Sequence, residues 1–393
     1  MISLIRASYA PPVPALEPFR VDVPEPVLID LRDRLHRTRF PNEVAGAGWT
    51  QGTDLSYLRE LVGYWLDGYD WRTHEARLNA FPQHTTEVEG QRIHFIHARS
   101  PEPAALPLLL VHGWPGSVVE FLDVLGPLTD PVAHGGDARD AFHVVAPSLP
   151  GYTFSGPTSE PGWHPRRIAA AFVELMAALG YGRYGAQGGD WGSLVCGNVA
   201  DLDPDHVAGL HLNYVVVSRG DVEEEAATPG QQQALDAMRA YQISGAGYFE
   251  IQSTRPQSVG YGLEDSPAGL AAWIIEKFAA WSDGDDIEDS FTKDQLLTNV
   301  TAYWVTGTAT SSARLYWEMR QAGRRALPAR YVAVPTGIAN YPGEIAWTPR
   351  SRVERRYNVV HWAELERGGH FAAMEVPDLF TDDVRTFFRD RRD

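Results

Sequence analysis

Apolar residues recur at helical spacing in two early segments: Leu28, Leu31 and Leu35 after Pro24-Glu25-Pro26, and Leu55, Leu58, Leu61, Val62 and Trp65 from Asp54 onward. That spacing gathers each set on one helix face, and a proline is tolerated in a first helical turn. Both faces need a partner, so the region is expected to pack on a core without doing chemistry. Ahead of it, residues 1 to about 20, with Pro11-Pro12-Val13-Pro14, read as an extended arm. From residue 85 the period changes. Segments 85–89 and 92–98 read as strands around the turn Glu89-Gly90-Gln91. Segments 108–111 and 143–146 are continuous apolar runs, as expected for strands buried on both faces. Ile168, Phe172, Leu175, Met176 and Leu179 then form a helical stripe, and 207–217 reads as a further strand.

Residues 218–326 break the alternation with long helical segments, including 231–242, 268–281 and 312–322. Strand signals return at 331–334 and 358–362, and a helix over 377–389 closes the chain. Strands alternating with helices predict an α/β fold with a mostly parallel central sheet, interrupted by a helical insertion over the strand ends. The division expected is an N-terminal region 1–98, a core in two parts, 99–217 and 327–393, and a helical lid 218–326 between them.

Composition narrows the function. With 34 basic against 51 acidic residues the formal charge is −17, which argues against nucleic acid or an anionic membrane as partner. The lone cysteine, Cys196, allows no internal disulfide and no cysteine-based metal cluster, and reads as a small buried hydrophobe. The first residues lack the apolar run of a signal peptide or anchor, so a cytoplasmic protein is expected.

The chemistry centres on Gln187-Gly188-Gly189-Asp190-Trp191-Gly192-Ser193. This G-x-D-x-G stretch fits the small-x-nucleophile-x-small pattern of a nucleophile elbow, the strained strand-to-helix turn of an α/β-hydrolase. Hydrolases of esters and peptides carry serine at the central position; here it is Asp190. Serine attacking saturated carbon would leave an ether that water cannot cleave at neutral pH. A carboxylate leaves an ester, which water can hydrolyse. Asp190 therefore points to displacement at sp³ carbon, with an epoxide or an alkyl halide as electrophile. By itself a Gly-Asp-Gly turn is a weak signal.

An elbow predicts an acid and then a histidine downstream. Glu344 follows the 331–334 strand in Asn340-Tyr341-Pro342-Gly343-Glu344, and His370 follows the 358–362 strand in Arg367-Gly368-Gly369-His370. Glu375 and Asp378 lie near enough in sequence to compete with Glu344 for the acid's place. The backbone amides of Trp114, in His112-Gly113-Trp114-Pro115, and of Trp191 are candidates for a two-donor oxyanion hole. An acid for the leaving oxygen belongs in the insertion, but spacing does not single out any of the 16 tyrosines.

Over nearly its full length the chain resembles the microsomal-type epoxide hydrolases of the α/β-hydrolase superfamily. The resemblance rests on 112–117 (H-G-W-P-G-S), 188–193 (G-G-D-W-G-S), 253–256 with 265–270 in the insertion, and 367–372 (R-G-G-H-F-A). It implies Asp190 as nucleophile, His370 as base, Glu344 as its partner, and Tyr248 and Tyr316 as the two tyrosines that bind the epoxide oxygen. Trp114, Trp191, Tyr248 and Tyr316 then line the substrate site. The implied reaction converts an apolar, aryl-substituted epoxide to a vicinal diol, with no cofactor and no metal. A small epoxide is the implied partner, a homodimer is compatible with the resemblance, and some soluble actinomycete relatives serve antibiotic, including enediyne, pathways. Two other readings share parts of this pattern. A haloalkane dehalogenase uses the same Asp–His–acid scheme, and a non-catalytic receptor can use the same fold.

Overall fold

The computed structural model describes residues 15–215, 217 and 229–392. The proline run 11–14 and the first residues of the expected insertion, 218–228, lie outside the described residues. Nine strands form one sheet: β1 (Glu17–Phe19), β2 (Gln83–Val88), β3 (Gln91–Ala98), β4 (Leu106–Val111), β5 (Phe142–Pro147), β6 (Tyr184–Gly188), β7 (Val207–Leu212), β8 (Val332–Asn340) and β9 (Tyr357–Glu364). Their order is β1-β2-β3-β5-β4-β6-β7-β8-β9. β1, β2, β3 and β5 pair antiparallel, and the run from β5 to β9 is parallel throughout.

The hydrophobic patterns account for this arrangement. β4, β5, β6 and β7 lie in the interior, with every residue of β5, β6 and β7 buried; the apolar runs of β4 and β5 suit burial on both faces. Helix Pro165–Ala178 lays Ile168, Phe172, Leu175 and Met176 inward. The C-terminal helix Pro377–Phe388 does the same with Phe380, Val384, Phe387 and Phe388. Where the sequence suggests a strand to 217, β7 ends at Leu212. Asn213 leaves the ladder: its backbone N–H reaches back to Gly188 O, and its side-chain oxygen accepts from Gln187 Nε2 at 2.8 Å. β8 runs further than the sequence suggests, to Asn340, which carries the chain out toward Glu344. The segment expected at 231–242 is helix Pro229–Ala240 followed by one π-helical turn, Tyr241–Gly245.

The three helices before β2 find much of their apolar partnership on the helices between β7 and β8. Glu25–His36 and Leu55–Asp67 meet Pro267–Ala280, while Trp71–Leu78 meets Lys293–Thr306. Polar ties reinforce the seam: Arg34 with Asp265 at 2.9 Å, Thr53 Oγ1 donating to Ala272 O at 2.6 Å, and Tyr64 Oη donating to Asp294 Oδ1 at 2.8 Å.

β4 lies between β5 and β6, so consecutive connections leave the sheet in opposite directions around it. In parallel sheets that switch point opens a crevice at the carboxyl ends of the strands. Val111, at the end of β4, pairs with Gly188, at the end of β6. That one register brings the 112–117 loop beside Asp190.

Candidate active site

Asp190 is the first residue of helix Asp190–Leu202 and has φ of 46°. A non-glycine residue there is held in a costly left-handed conformation by its surroundings, as an elbow requires. The neighbouring glycines make the turn sterically feasible. A Cβ on Gly192 would collide with the carbonyl oxygen of Val111, so the elbow helix lies directly against the end of β4. The Trp114 N–H donates to Asp190 Oδ1 at 2.8 Å, and the Trp191 N–H also hydrogen-bonds the carboxylate. The two donors foreseen for an oxyanion hole therefore converge on Asp190. Burial pushes the Asp190 carboxyl up from its ordinary range, opposed by His370 and by these two N–H groups.

Glu344 and His370 sit on the loops that follow β8 and β9. Gly343 and Gly369 form a parallel bridge beyond the two strands, and the Gly343 N–H donates to Gly368 O at 3.0 Å. This extension of the ladder sets the side chains that follow against each other. His370 Nδ1 donates to Glu344 Oε1 at 2.7 Å, and His370 Nε2 lies 3.7 Å from Asp190 Oδ2. Burial would push the imidazole down, but Glu344, then Asp190 and Glu120, override it and raise it to about 9. The other two acids are occupied. Glu375 accepts from the N–H groups of Asp283 and Phe371, and Asp378 pairs with Arg367 at 2.5 Å.

Tyr248 comes from helix Gly247–Thr254 and Tyr316 from helix Ala309–Ala322, and both are buried. The Tyr248 ring stacks on Trp114 at 5.1 Å with 9° between planes. The Tyr316 ring stands edge-on to Trp191 at 4.7 Å and to Trp114 at 5.7 Å. The two phenol rings are 5.8 Å apart. Burial, more than neighbouring charge, pushes both hydroxyls well above the ordinary phenol range, so they hold their protons. Tyr316 Oη has no hydrogen-bond partner within the protein. All five side chains singled out from the sequence, with the Trp114 and Trp191 amides, thus gather in one place.

Sequence reasoning passed over Tyr241. Its hydroxyl lies 2.8 Å from Tyr248 Oη. Tyr241 opens the π-helical turn Tyr241–Gly245 and Tyr248 lies in the next helix, so no single helical period in the sequence relates the two phenols. Trp281 and Tyr214 were also passed over; both present ring edges to His370, at 5.0 and 5.6 Å. Cys196 is buried, with Sγ donating to Gln187 O. Among the described residues no group of three or more His, Cys, Asp or Glu side chains could hold a metal ion, and no helix is long and apolar enough to cross a membrane.

Comparison with known proteins agrees with this geometry. Residues 16–121 match the family model described as epoxide hydrolase N terminus, and residues 107–241 match that of the alpha/beta hydrolase fold. The chain is 47% identical to a Stigmatella aurantiaca protein named "Putative epoxide hydrolase", covering 96% of this chain and 86% of that protein. It is 38% identical to epoxide hydrolase 1 of Sus scrofa, covering 95% and 88%. The crystal structure of juvenile hormone epoxide hydrolase from the silkworm Bombyx mori superposes with a TM-score of 0.89 at 33% identity, covering 96% of this chain and 95% of that one.

Proposed function

Because the chain belongs to the epoxide hydrolase family, with that family's N-terminal region on an α/β-hydrolase core, and is itself an epoxide hydrolase, we propose that Asp190 opens the oxirane through a covalent ester. The observation that carries this reading is the placement of the Asp190 carboxylate. Its Oδ2 lies 3.7 Å from His370 Nε2, which Glu344 holds, and the buried phenols of Tyr248 and Tyr316 are near enough to feel its charge.

Asp190 attacks a ring carbon, and its C–O bond breaks toward the ring oxygen. Tyr248 and Tyr316 donate hydrogen bonds to that oxygen and supply the proton it gains. His370, held by Glu344, then takes a proton from water, which attacks Cγ of the ester. The Trp114 and Trp191 N–H groups stabilise the oxyanion that forms on the Asp190 carbonyl. The bond between Asp190 Cγ and the ester oxygen breaks, and the diol leaves with an oxygen that began on Asp190.

The helices between β7 and β8 act as the lid that supplies both phenols. The aromatic walls, Trp114, Trp191, Tyr248 and Tyr316 with Phe249 and Trp281, suit an apolar, aryl-substituted epoxide. The charge of −17 disfavours nucleic acid and anionic membranes as partners.

The test is a single turnover in ¹⁸O water with styrene oxide. The label should appear on the Asp190 carboxylate and be absent from the first diol. His370→Gln should still be alkylated, give one burst and stall, with its mass raised by one epoxide. A labelled first diol, with no adduct in His370→Gln, would sink the covalent scheme.

A further inference from the structure

Behind Asp190 lies a cavity of about 20 Å³ that no lid residue lines. Its walls include Gly113, Glu120, Gln187, Asp190 and His370. That volume suits one water, which also needs two to four polar partners. Two are at hand, because His370 Nε2 and Gln187 Oε1 are buried without a hydrogen-bond partner in the protein. Glu120 offers a third. It stands on the short turn Val118–Phe121, and a Cβ on Gly116 would fall on its Oε1. Glycine at 116 therefore leaves the space that the carboxyl group occupies. The charged groups that bear on Glu120 are His370 and Asp190. Burial, reinforced by Asp190, pushes its carboxyl up to about 8, so it is neutral near pH 7. A neutral carboxyl both donates and accepts a hydrogen bond.

We propose that this cavity seats the attacking water, and that Glu120, with Gln187, holds that water against the ester carbonyl of Asp190. The inference rests on the covalent reading above. The water has two O–H groups. One faces His370 Nε2, which takes its proton, and the other is held by Gln187 or Glu120. A lone pair stays free to bond Asp190 Cγ. Collapse then breaks the bond from Asp190 Cγ to the ester oxygen, which began on Asp190, leaves with the substrate as alkoxide and takes a proton from His370. The products are a diol and Asp190 in its acid form, whose proton makes good the one the tyrosines gave up at ring opening and so regenerates the carboxylate. Glu120 gains and loses nothing in this cycle. Neither Tyr248 nor Tyr316 lines the cavity, so the groups that position the water are separate from those that serve ring opening.

Glu120→Ala and Glu120→Gln, followed by rapid quench with styrene oxide and intact-protein mass, separate the steps. Ester formation should stay within about twofold of the unmodified enzyme. Ester decay should slow roughly 10- to 100-fold in Glu120→Ala, the scale expected when a reactant loses its positioning, and recover largely in Glu120→Gln. If Glu120→Ala does not fold, Glu120→Met fills the space without a polar head and should show the same slow decay. Unchanged decay in the alanine or methionine variant, with an adduct still trapped in His370→Gln, would overturn this inference alone. Equal slowing of both steps would make Glu120 structural and overturn it too. Absence of any adduct in His370→Gln would overturn the covalent reading and this inference with it.

Discussion

Alkylation of Asp190 should switch His370 from acid to base. In the free enzyme the imidazole is held near a pKa of about 9, partly by the Asp190 carboxylate. Ester formation removes that negative charge. At the 3.7 Å separation between His370 Nε2 and Asp190 Oδ2, a unit charge is worth about 4–5 kcal/mol at an effective dielectric near 20. At about 1.4 kcal/mol per pH unit, the imidazole pKa should fall by about 3. The sign follows from the charge: losing a neighbouring anion destabilises the imidazolium, so the proton leaves. A histidine protonated at pH 7 beside the free carboxylate would thus become neutral beside the ester, as proton abstraction from water requires. Asp190→Asn imitates the neutral ester at nearly the same size. Titration of the ¹⁵N-labelled imidazole by NMR should give a pKa near 9 in the unmodified enzyme and near 6 in Asp190→Asn, with intact mass confirming that the amide persists. A His370 pKa that differs by less than one pH unit between the two proteins would refute the reasoning.

Tyr248→Phe and Tyr316→Phe should each slow ester formation, and the double change should nearly stop it. An oxyanion-type donor is worth about 3–4 kcal/mol, and single-turnover kinetics would read the loss. Tyr241→Phe should slow ester formation several-fold and leave ester decay unchanged, because its hydroxyl touches Tyr248; equal rates in both steps would exclude it. Gly192→Ala should melt earlier than the unmodified protein, since the added methyl meets the Val111 carbonyl and overpacking costs about 1–3 kcal/mol or more; differential scanning calorimetry would show it.

The nucleophile elbow was legible because strain leaves a local signature, small residues on either side of a polar one. The alternation of apolar runs and helical stripes gave the parallel sheet for a similar reason, since burial on two faces imposes continuous apolarity. The acid was harder to read. Glu344, Glu375 and Asp378 are alike in type and near in sequence, and what separates them is which donors take up their oxygens. Only the bridge between Gly343 and Gly369 turns Glu344 toward His370. Sequence spacing was equally silent about Tyr248 and Tyr316, because their convergence depends on two helices separated by other helices. Tyr241 and Glu120 escaped notice because each acquires its meaning from a neighbour, a hydroxyl in one case and a glycine-shaped space in the other. The partner of the early amphipathic helices was also hidden, since an apolar face says that it must be covered and not by what.

That partner matters for anyone exchanging parts between relatives. The helices between β7 and β8 enter and leave the core through two chain connections, yet much of their grip on position comes from helices more than two hundred residues earlier, through Arg34, Thr53 and Tyr64. Those helices, grafted by themselves, would arrive without their counterpart surface, and their phenols would sit wherever the graft settled. Chimeras that move residues 25–78 together with residues 229–326 should keep the two tyrosines in register, whereas residues 229–326 moved alone should lower catalytic efficiency before the fold is lost.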